Sequence, residues 1–493
     1  MFQVDVLEQD AFEVLRLIRS LKNGFAPINR IPPEVLTLIP DSWDRPSSDK
    51  HVIALTHVCQ AWRDIFISHS SLWAQFDCNN ADKTRVYLER SKSSPIALHL
   101  QRMFDSYPRD PLFQTIPHII GRLESLHIQA PPGYLQDITA HLTDPAPLLK
   151  HLTIDATRLP EPRHNHILTL ALFNGDLSSL HVLYLHCVPT DLPWRNMVNL
   201  TSLTLDHAPP GSTSKLLDFF ESTSRISRVV LHCSPLTSDG QDRRLVSLKC
   251  LKSLSIYGDQ PTSLLLDHLL VPVGTDLQTW LRSPCPRVED HLPRSLNNLG
   301  NFLNFTQLRL RLSKRYSVVQ FTGPNGGVCM TSVSSGDSTT GLVLEFLARL
   351  DTSTVKRLEI IYRDPFSGDL IFPALLPMKN LCTLTISRCK NLRSLICALD
   401  PDKNSSNPPI CPKLEELVLR TGWVDVFEVE SMVGMAAARA SRGAKLKSVR
   451  VLNLGEFELV DMSDLCNHVL DVEHGFEDGE LDDEYITESD EED

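Results

Sequence analysis

The sequence predicts a small all-α domain, then an α/β solenoid of parallel strands, then a disordered acidic tail. Three observations carry this expectation. A six-residue pattern, L-x-x-L-x-L with apolar replacements, recurs through most of the chain. A compact block containing Trp62 and Trp73 precedes the array. A run of carboxylates ends the chain, with thirteen between Asp471 and Asp493 and no Lys or Arg.

Composition narrows the class of function. The chain has 493 residues, 42% apolar and 22% charged, enough to bury a large core and ordinary for a globular protein. Its formal charge of −13 resides in the tail, because the other 470 residues are close to neutral. A nucleic-acid partner is not expected, since that needs a basic face. Met1–Asp10 has neither a basic cluster nor an apolar run, and Leu264–Val273 is interrupted by Asp267, His268 and Pro272. Neither a targeting signal nor a membrane span is expected, and the expected home is cytoplasmic or nuclear. The twelve cysteines form no Cys-x-x-Cys pair. They are expected to be reduced core thiols with no local nucleus for a metal site.

The N-terminal segment, 1–28, carries Phe12, Leu15, Ile18 and Leu21 as a helical stripe ended by Gly24 and Pro27. Such a stripe packs on the following block or serves as a docking helix, and packing within the chain is the expectation. Residues 29–78 read as three short helices. Pro32 and Pro33 suit a helix start, Glu34 favours its positive end, and Val35, Leu36 and Ile39 supply an apolar face before Pro40 and Asp41 stop it. Pro46–Asp49 is a loop and cap for a second helix with Ile53, Leu55 and Val58. Trp62, Ile65 and Phe66 continue beyond Cys59, and Leu72 with Trp73 closes the block.

These residues resemble an F-box. The matches are Ile31, Pro32, Glu34, Val35, Leu36 and Ile39, then Val58, Cys59 and Trp62, then Leu72 and Trp73. The order of three separated motifs carries the resemblance, which departs from the family at Pro40 and in the long Asp41–Lys50 loop. The resemblance implies that these eleven residues dock on the Skp adaptor of a cullin-based ubiquitin ligase. The alternative is a helical cap whose tryptophans are core residues.

A linker helix is expected within 79–95, over Asp82–Arg90. The array follows over 96–470, with motif copies starting at Leu123, Leu149, Leu180, Leu200, Ile226, Leu251, Phe305, Val355, Leu381, Leu414 and Leu446. Ile96–Leu100 is a degenerate first copy. The starts are 26, 31, 20, 26, 25, 54, 50, 26, 33 and 32 residues apart. Alternation inside the motif makes each copy a strand with one buried face. Helical patterns fall between copies at Lys215–Ser222, Leu342–Leu350 and Glu430–Ala440. The spacing and pattern, with Cys389 at the Asn/Cys position, resemble leucine-rich repeats, which implies a parallel-strand horseshoe. Two long intervals remain. Leu277–Trp280 suggests a degenerate copy in the first, with Pro284, Pro286 and Pro293 marking a loop excursion. Tyr316–Phe321 and Val328–Val333, around Gly323–Gly327, read as a hairpin insertion near 316–334.

No nucleophile elbow, His-Glu-x-x-His or dinucleotide fingerprint occurs. His164 and His166 lie in a proline-flanked loop and read as solvated side chains. No catalytic residue, cofactor or metal ligand is therefore nominated, and the chain is read as no enzyme. Strand alternation places Ser125, His127, Val182, Tyr184, Arg228, Val230, Gln307, Arg309, Arg357, Glu359, Glu416 and Val418 on one exposed face. Tyr184, Arg228, Arg309, Arg357, Glu359 and Glu416 are candidates for binding a protein substrate. The tail, 471–493, is read as disordered and solubilising, with Thr487 and Ser489 suited to an acidophilic kinase. Together these readings describe a ubiquitin-ligase adaptor, with a repeat scaffold outside any ligase as the alternative.

Overall fold

The computed structural model describes residues 2–39, 48–78, 80–101, 112–156, 172–188, 194–209, 211–232, 236, 244–282, 287–302, 305–313, 316–324, 326–333, 339–362, 372–388, 392–403, 409–421, 424, 426–453 and 461–476. They belong to two compact units, Met1–Pro210 and Gly211–Asp493. Pro40, most of the Asp41–Lys50 loop, His164, His166, Cys389, Thr487 and Ser489 lie outside the described residues.

The first unit begins with helices α1 (Phe2–Gly24), α2 (Pro33–Leu36), α3 (Ser48–Leu55), α4 (Gln60–Ser68) and α5 (Ala81–Ser91). Helix α2 starts where the prolines place it, with Glu34 in its first turn. Helix α5 is capped by the Asn80 side chain, which accepts from Lys83 N. The expectation that α1 packs on the block is corrected. Every described residue from Val4 to Phe25 is exposed, including Phe12, Leu15, Ile18 and Leu21. Trp62, Phe66, Leu72 and Trp73 instead form the block's interior with Leu36 and Val52.

Six parallel strands follow in register: β1 (Gln75–Asp77), β2 (Ile96–Gln101), β3 (Leu123–Ala130), β4 (His151–Ala156), β5 (Val182–His186) and β6 (Ser202–Asp206). The sheet therefore starts inside the helical block, at Gln75, earlier than the expected start at residue 96. Trp73 links α4 to α5. Its Nε1 donates to Phe66 O at 2.7 Å, its ring meets Tyr87 edge-on, and the Arg90 guanidinium lies 4.2 Å from the ring centroid.

The second unit continues the pattern with β7 (Arg228–His232), β8 (Val246–Ser247), β9 (Ser253–Gly258), β10 (Leu269–Leu270), β11 (Asp276–Arg282), β12 (Gln307–Leu312), β13 (Tyr316–Gly323), β14 (Gly326–Val333), β15 (Arg357–Tyr362), β16 (Thr383–Ser387), β17 (Glu416–Thr421), β18 (Ser448–Asn453) and β19 (Asp471–Phe476). Strands β8 and β10 pair with each other. All eleven motif copies contain a strand; the first apolar residue of every copy is buried, just ahead of the strand except for Leu123, which opens β3. Helices Thr213–Ser222, Thr339–Arg349 and Val426–Ser441 occupy the predicted helical stretches. The Leu277–Trp280 copy is also a strand, β11, parallel to β9.

The hairpin lies inside the sheet. Strands β12, β13 and β14 form an antiparallel meander, with β14 parallel to β11 and β12 parallel to β15. The apolar stripe crosses it unbroken, because Leu308 faces Phe321 and Leu310 faces Val319, all buried. Gly326 makes the close approach possible. Its φ is +102°, and a Cβ there would lie 3.0 Å from Thr275 O.

Two expectations are corrected at the C-terminal end. Asp471–Phe476, assigned to the tail, is the last parallel strand, beside β18. Val418, expected on the exposed face, is buried.

Candidate functional site

Three places present chemistry. In the helical block, the eleven predicted docking residues divide by burial. Pro32, Glu34, Val35 and Val58 are exposed, and Ile31, Ile39 and Cys59 are partly exposed. Leu36, Trp62, Leu72 and Trp73 are buried and shape the surface from beneath. Trp62 Nε1 donates to Asn29 Oδ1 at 2.6 Å, which ties α4 to the segment before α2. Val35 at 49%, Leu38 at 61% and Val58 at 55% exposure leave apolar side chains in water.

The second place is a cleft of about 440 Å³ on the exposed strand face of the second unit. It brings together four of the six predicted face residues, Arg309, Arg357, Glu359 and Glu416, with Gln320 and Thr383. Parallel register explains the gathering, since Arg309, Glu359 and Thr385 occupy one row across β12, β15 and β16. Opposite charges alternate. Arg309 Nε lies 3.0 Å from Glu359, which also faces Arg420 at 3.7 Å, and Arg450 Nη2 lies 2.6 Å from Glu416. Half-buried networks of this kind hold side chains in place for recognition and contribute little net stability. Arg228 is exposed on β7 and is not among the residues lining this cleft.

The third place, at the exit ends of β4, β5 and β6, escaped the sequence reading. Aligned strands stack Gln101, Gln129, Asp155, His186 and Asp206 in one row. Gln101 donates to Gln129 at 3.0 Å, and Gln129 donates to Asp155 at 3.1 Å. His186 Nδ1 lies 2.6 Å from Asp155 Oδ1, and His207 Nδ1 lies 2.8 Å from Asp206 Oδ1. A carboxylate only accepts, so Nδ1 of each imidazole carries the proton. Cys187 and His207 both have left-handed backbones, φ +55° and +50°, where the chain turns out of its strand. The Cys187 N–H donates to Asp206 O at 2.7 Å, locking the two turns together. Tyr184, the predicted face residue in this unit, backs the group. Burial, then the Asp206 and Asp155 carboxylates, raise its phenol above the ordinary value.

The signal for this third place was present in the motif. The residue after the last apolar position reads Gln129, Asp155, His186 and Asp206, and the next reads Cys187 and His207 in adjacent copies. The absence of Cys-x-x-Cys pairs gave no local nucleus for a metal site, and the fold gathers His186, Cys187 and His207 from two neighbouring copies.

No protein-family model matches the chain, and comparison with curated proteins gives no match either. Among the described residues, no helix is long and apolar enough to cross a membrane.

Proposed function

We propose that the chain is a substrate-recognition adaptor of a Skp–cullin–F-box type ubiquitin ligase. The helical block docks on the Skp adaptor, and through it on a cullin, while the strand array binds a protein target. The adaptor catalyses nothing itself; it supplies proximity between a target lysine and a charged conjugating enzyme. The observation that carries the reading is the layered build of the block. The ordered F-box-like pattern puts Pro32, Glu34, Val35 and Val58 at the surface over an interior of Leu36, Trp62, Leu72 and Trp73. The charged cleft around Arg309, Arg357, Glu359 and Glu416 is the substrate-facing counterpart, suited to a polar peptide of mixed charge.

The test is co-purification of the full chain with a Skp protein. Val35→Asp combined with Val58→Asp should weaken capture at least tenfold, because a carboxylate is stranded in an apolar interface. Both sites are exposed, so thermal stability should stay within about 0.5 kcal/mol of the parent. Absence of capture by the parent protein would overturn the proposal. The pairing of β1 with β2 favours a second reading, a scaffold whose helical block only covers the sheet edge. That reading gains if no Skp protein is captured while deletion of 29–78 causes aggregation.

A further inference from the structure

We propose that His186, Cys187 and His207 form a binding site for a transition-metal dication of the zinc type. Their ligand atoms all lie within 4.8 Å of one another. Cys187 Sγ is 3.4 Å from His186 Nε2. Bond lengths of about 2.3 Å to sulfur and about 2.0 Å to nitrogen put the edge of a tetrahedral site near 3.5 Å, so little movement is needed. Acceptor atoms converge here. With Nδ1 protonated against Asp155, His186 turns its Nε2 lone pair toward the thiol, and Asp206 Oδ2 lies 3.8 Å away. A cation there takes the place of the thiol proton that bridges Sγ and Nε2. Each imidazole is already oriented by a carboxylate, the arrangement that fixes the tautomer and raises basicity in histidine metal sites. His186, Asp206 and His207 are only 20–30% exposed, so the site is sheltered.

Titration of the full chain with CoCl2 tests the site. One equivalent should give tetrahedral d–d absorption and a thiolate-to-cobalt charge-transfer band, both removed by equimolar ZnCl2. Cys187→Ser should abolish the charge-transfer band. His207→Gln should weaken binding more than tenfold, and Asp155→Asn by about tenfold through its effect on His186. Replacing the exposed Cys250 and Cys466 by Ser should change nothing. The proposal is overturned if no band develops, or if the band survives in Cys187→Ser. If His207→Gln lowers the melting temperature, Cys187→Ser and Asp155→Asn carry the decision.

A separate observation concerns α1. Val4, Leu7, Ala11, Val14, Ile18 and Leu21 are spaced alternately by three and four residues, and all are exposed. That is a two-stranded seam with no partner surface in the described chain. Asp5, Glu8, Asp10 and Glu13 precede Val14, whereas Arg16, Arg19 and Lys22 follow it. Charge complementarity selects an occupant: we infer that α1 pairs antiparallel with α1 of a second copy. Val4 then faces Leu21, Leu7 faces Ile18, and Ala11 faces Val14. The acidic half of each helix lies beside the basic half of the other.

Sedimentation of the full chain should give a dimer that Leu7→Glu with Ile18→Glu converts to monomer. Arg16, Arg19 and Lys22 changed to Glu should also give monomer. Mixing that variant with one whose four acidic residues are changed to Lys should restore dimers. A monomeric parent, or a dimer indifferent to Leu7 and Ile18, would refute the pairing.

Discussion

Arg439→Ala is expected to destabilise the second unit by about 4 kcal/mol, the range for stranding buried polar partners and opening a cavity. Arg439 lies in helix Val426–Ser441 with no exposed surface. Among the described residues it forms no ion pair, and it satisfies backbone carbonyls instead. Its Nη1 donates to Ile410 O at 2.9 Å and Leu399 O at 3.4 Å, and its Nη2 donates to Cys411 O at 2.8 Å. Leu399 ends helix Leu392–Leu399, and Ile410 and Cys411 lead toward β17. One guanidinium therefore ties a helix end to the segment before the next strand. Burial lowers its pKa, yet arginine stays charged far above neutral pH. The neighbouring thiol is no counter-ion, because burial pushes Cys411 up to about 12. Arg439→Lys should recover about half of the loss, since an ammonium lacks the planar fork. Urea unfolding followed in the second unit measures both. A loss below about 1 kcal/mol for the alanine variant would show that the carbonyls find other partners.

The sequence foretold strands better than it foretold partners. Leu-x-x-Leu-x-Leu is local information, and period-two burial follows from backbone geometry alone, so each of the eleven copies contains a strand. Lateral order is not local. The hairpin of β13 and β14 reads as an insertion in the sequence because spacing along the chain cannot say which strand edge is vacant. The same limit hid the His186, Cys187 and His207 cluster, where an interval of twenty residues in the chain becomes one step across a parallel sheet. Row-by-row stacking did bring Arg309 and Glu359 in one row, and Arg357 and Glu416 in another, to one cleft, since alternation gave the face and register gave the rows. Trp62 and Trp73 show a different limit. Motif matching marks residues a family keeps, whether for contact or for core, and here both tryptophans are interior. In α1, apolar periodicity correctly marked a helix face, but periodicity is silent on whether the covering surface belongs to the same chain.

Acidification from pH 7 to pH 4 should cost the second unit about 3 kcal/mol through His291 alone. His291 closes the short helix Val288–His291 and is 3% exposed. Its ring borders a void of about 10 Å³ lined by Ser317, Val319, Met330, Ser332, Val343 and Phe346. Neither ring nitrogen has a hydrogen-bond partner among the described residues. Burial pushes the imidazole down to about 4, against a small opposing pull from Asp290. In the unfolded chain the same ring titrates near 6.5. Above about pH 6.5 the ring is neutral in both states and imposes no penalty. As pH falls from 6.5 toward 4, the unfolded chain takes up a proton that the folded chain refuses, so stability declines through that window and levels off below it. His291→Gln removes the titration while keeping a polar side chain of similar reach. The difference in unfolding free energy between parent and variant, measured in urea at pH 7, 6, 5 and 4, should therefore change by about 3 kcal/mol across the series. Carboxylates elsewhere titrate in both proteins and cancel in that difference. A pH-independent difference would mean that the folded protein admits a proton to His291, through a partner or an opening of the void.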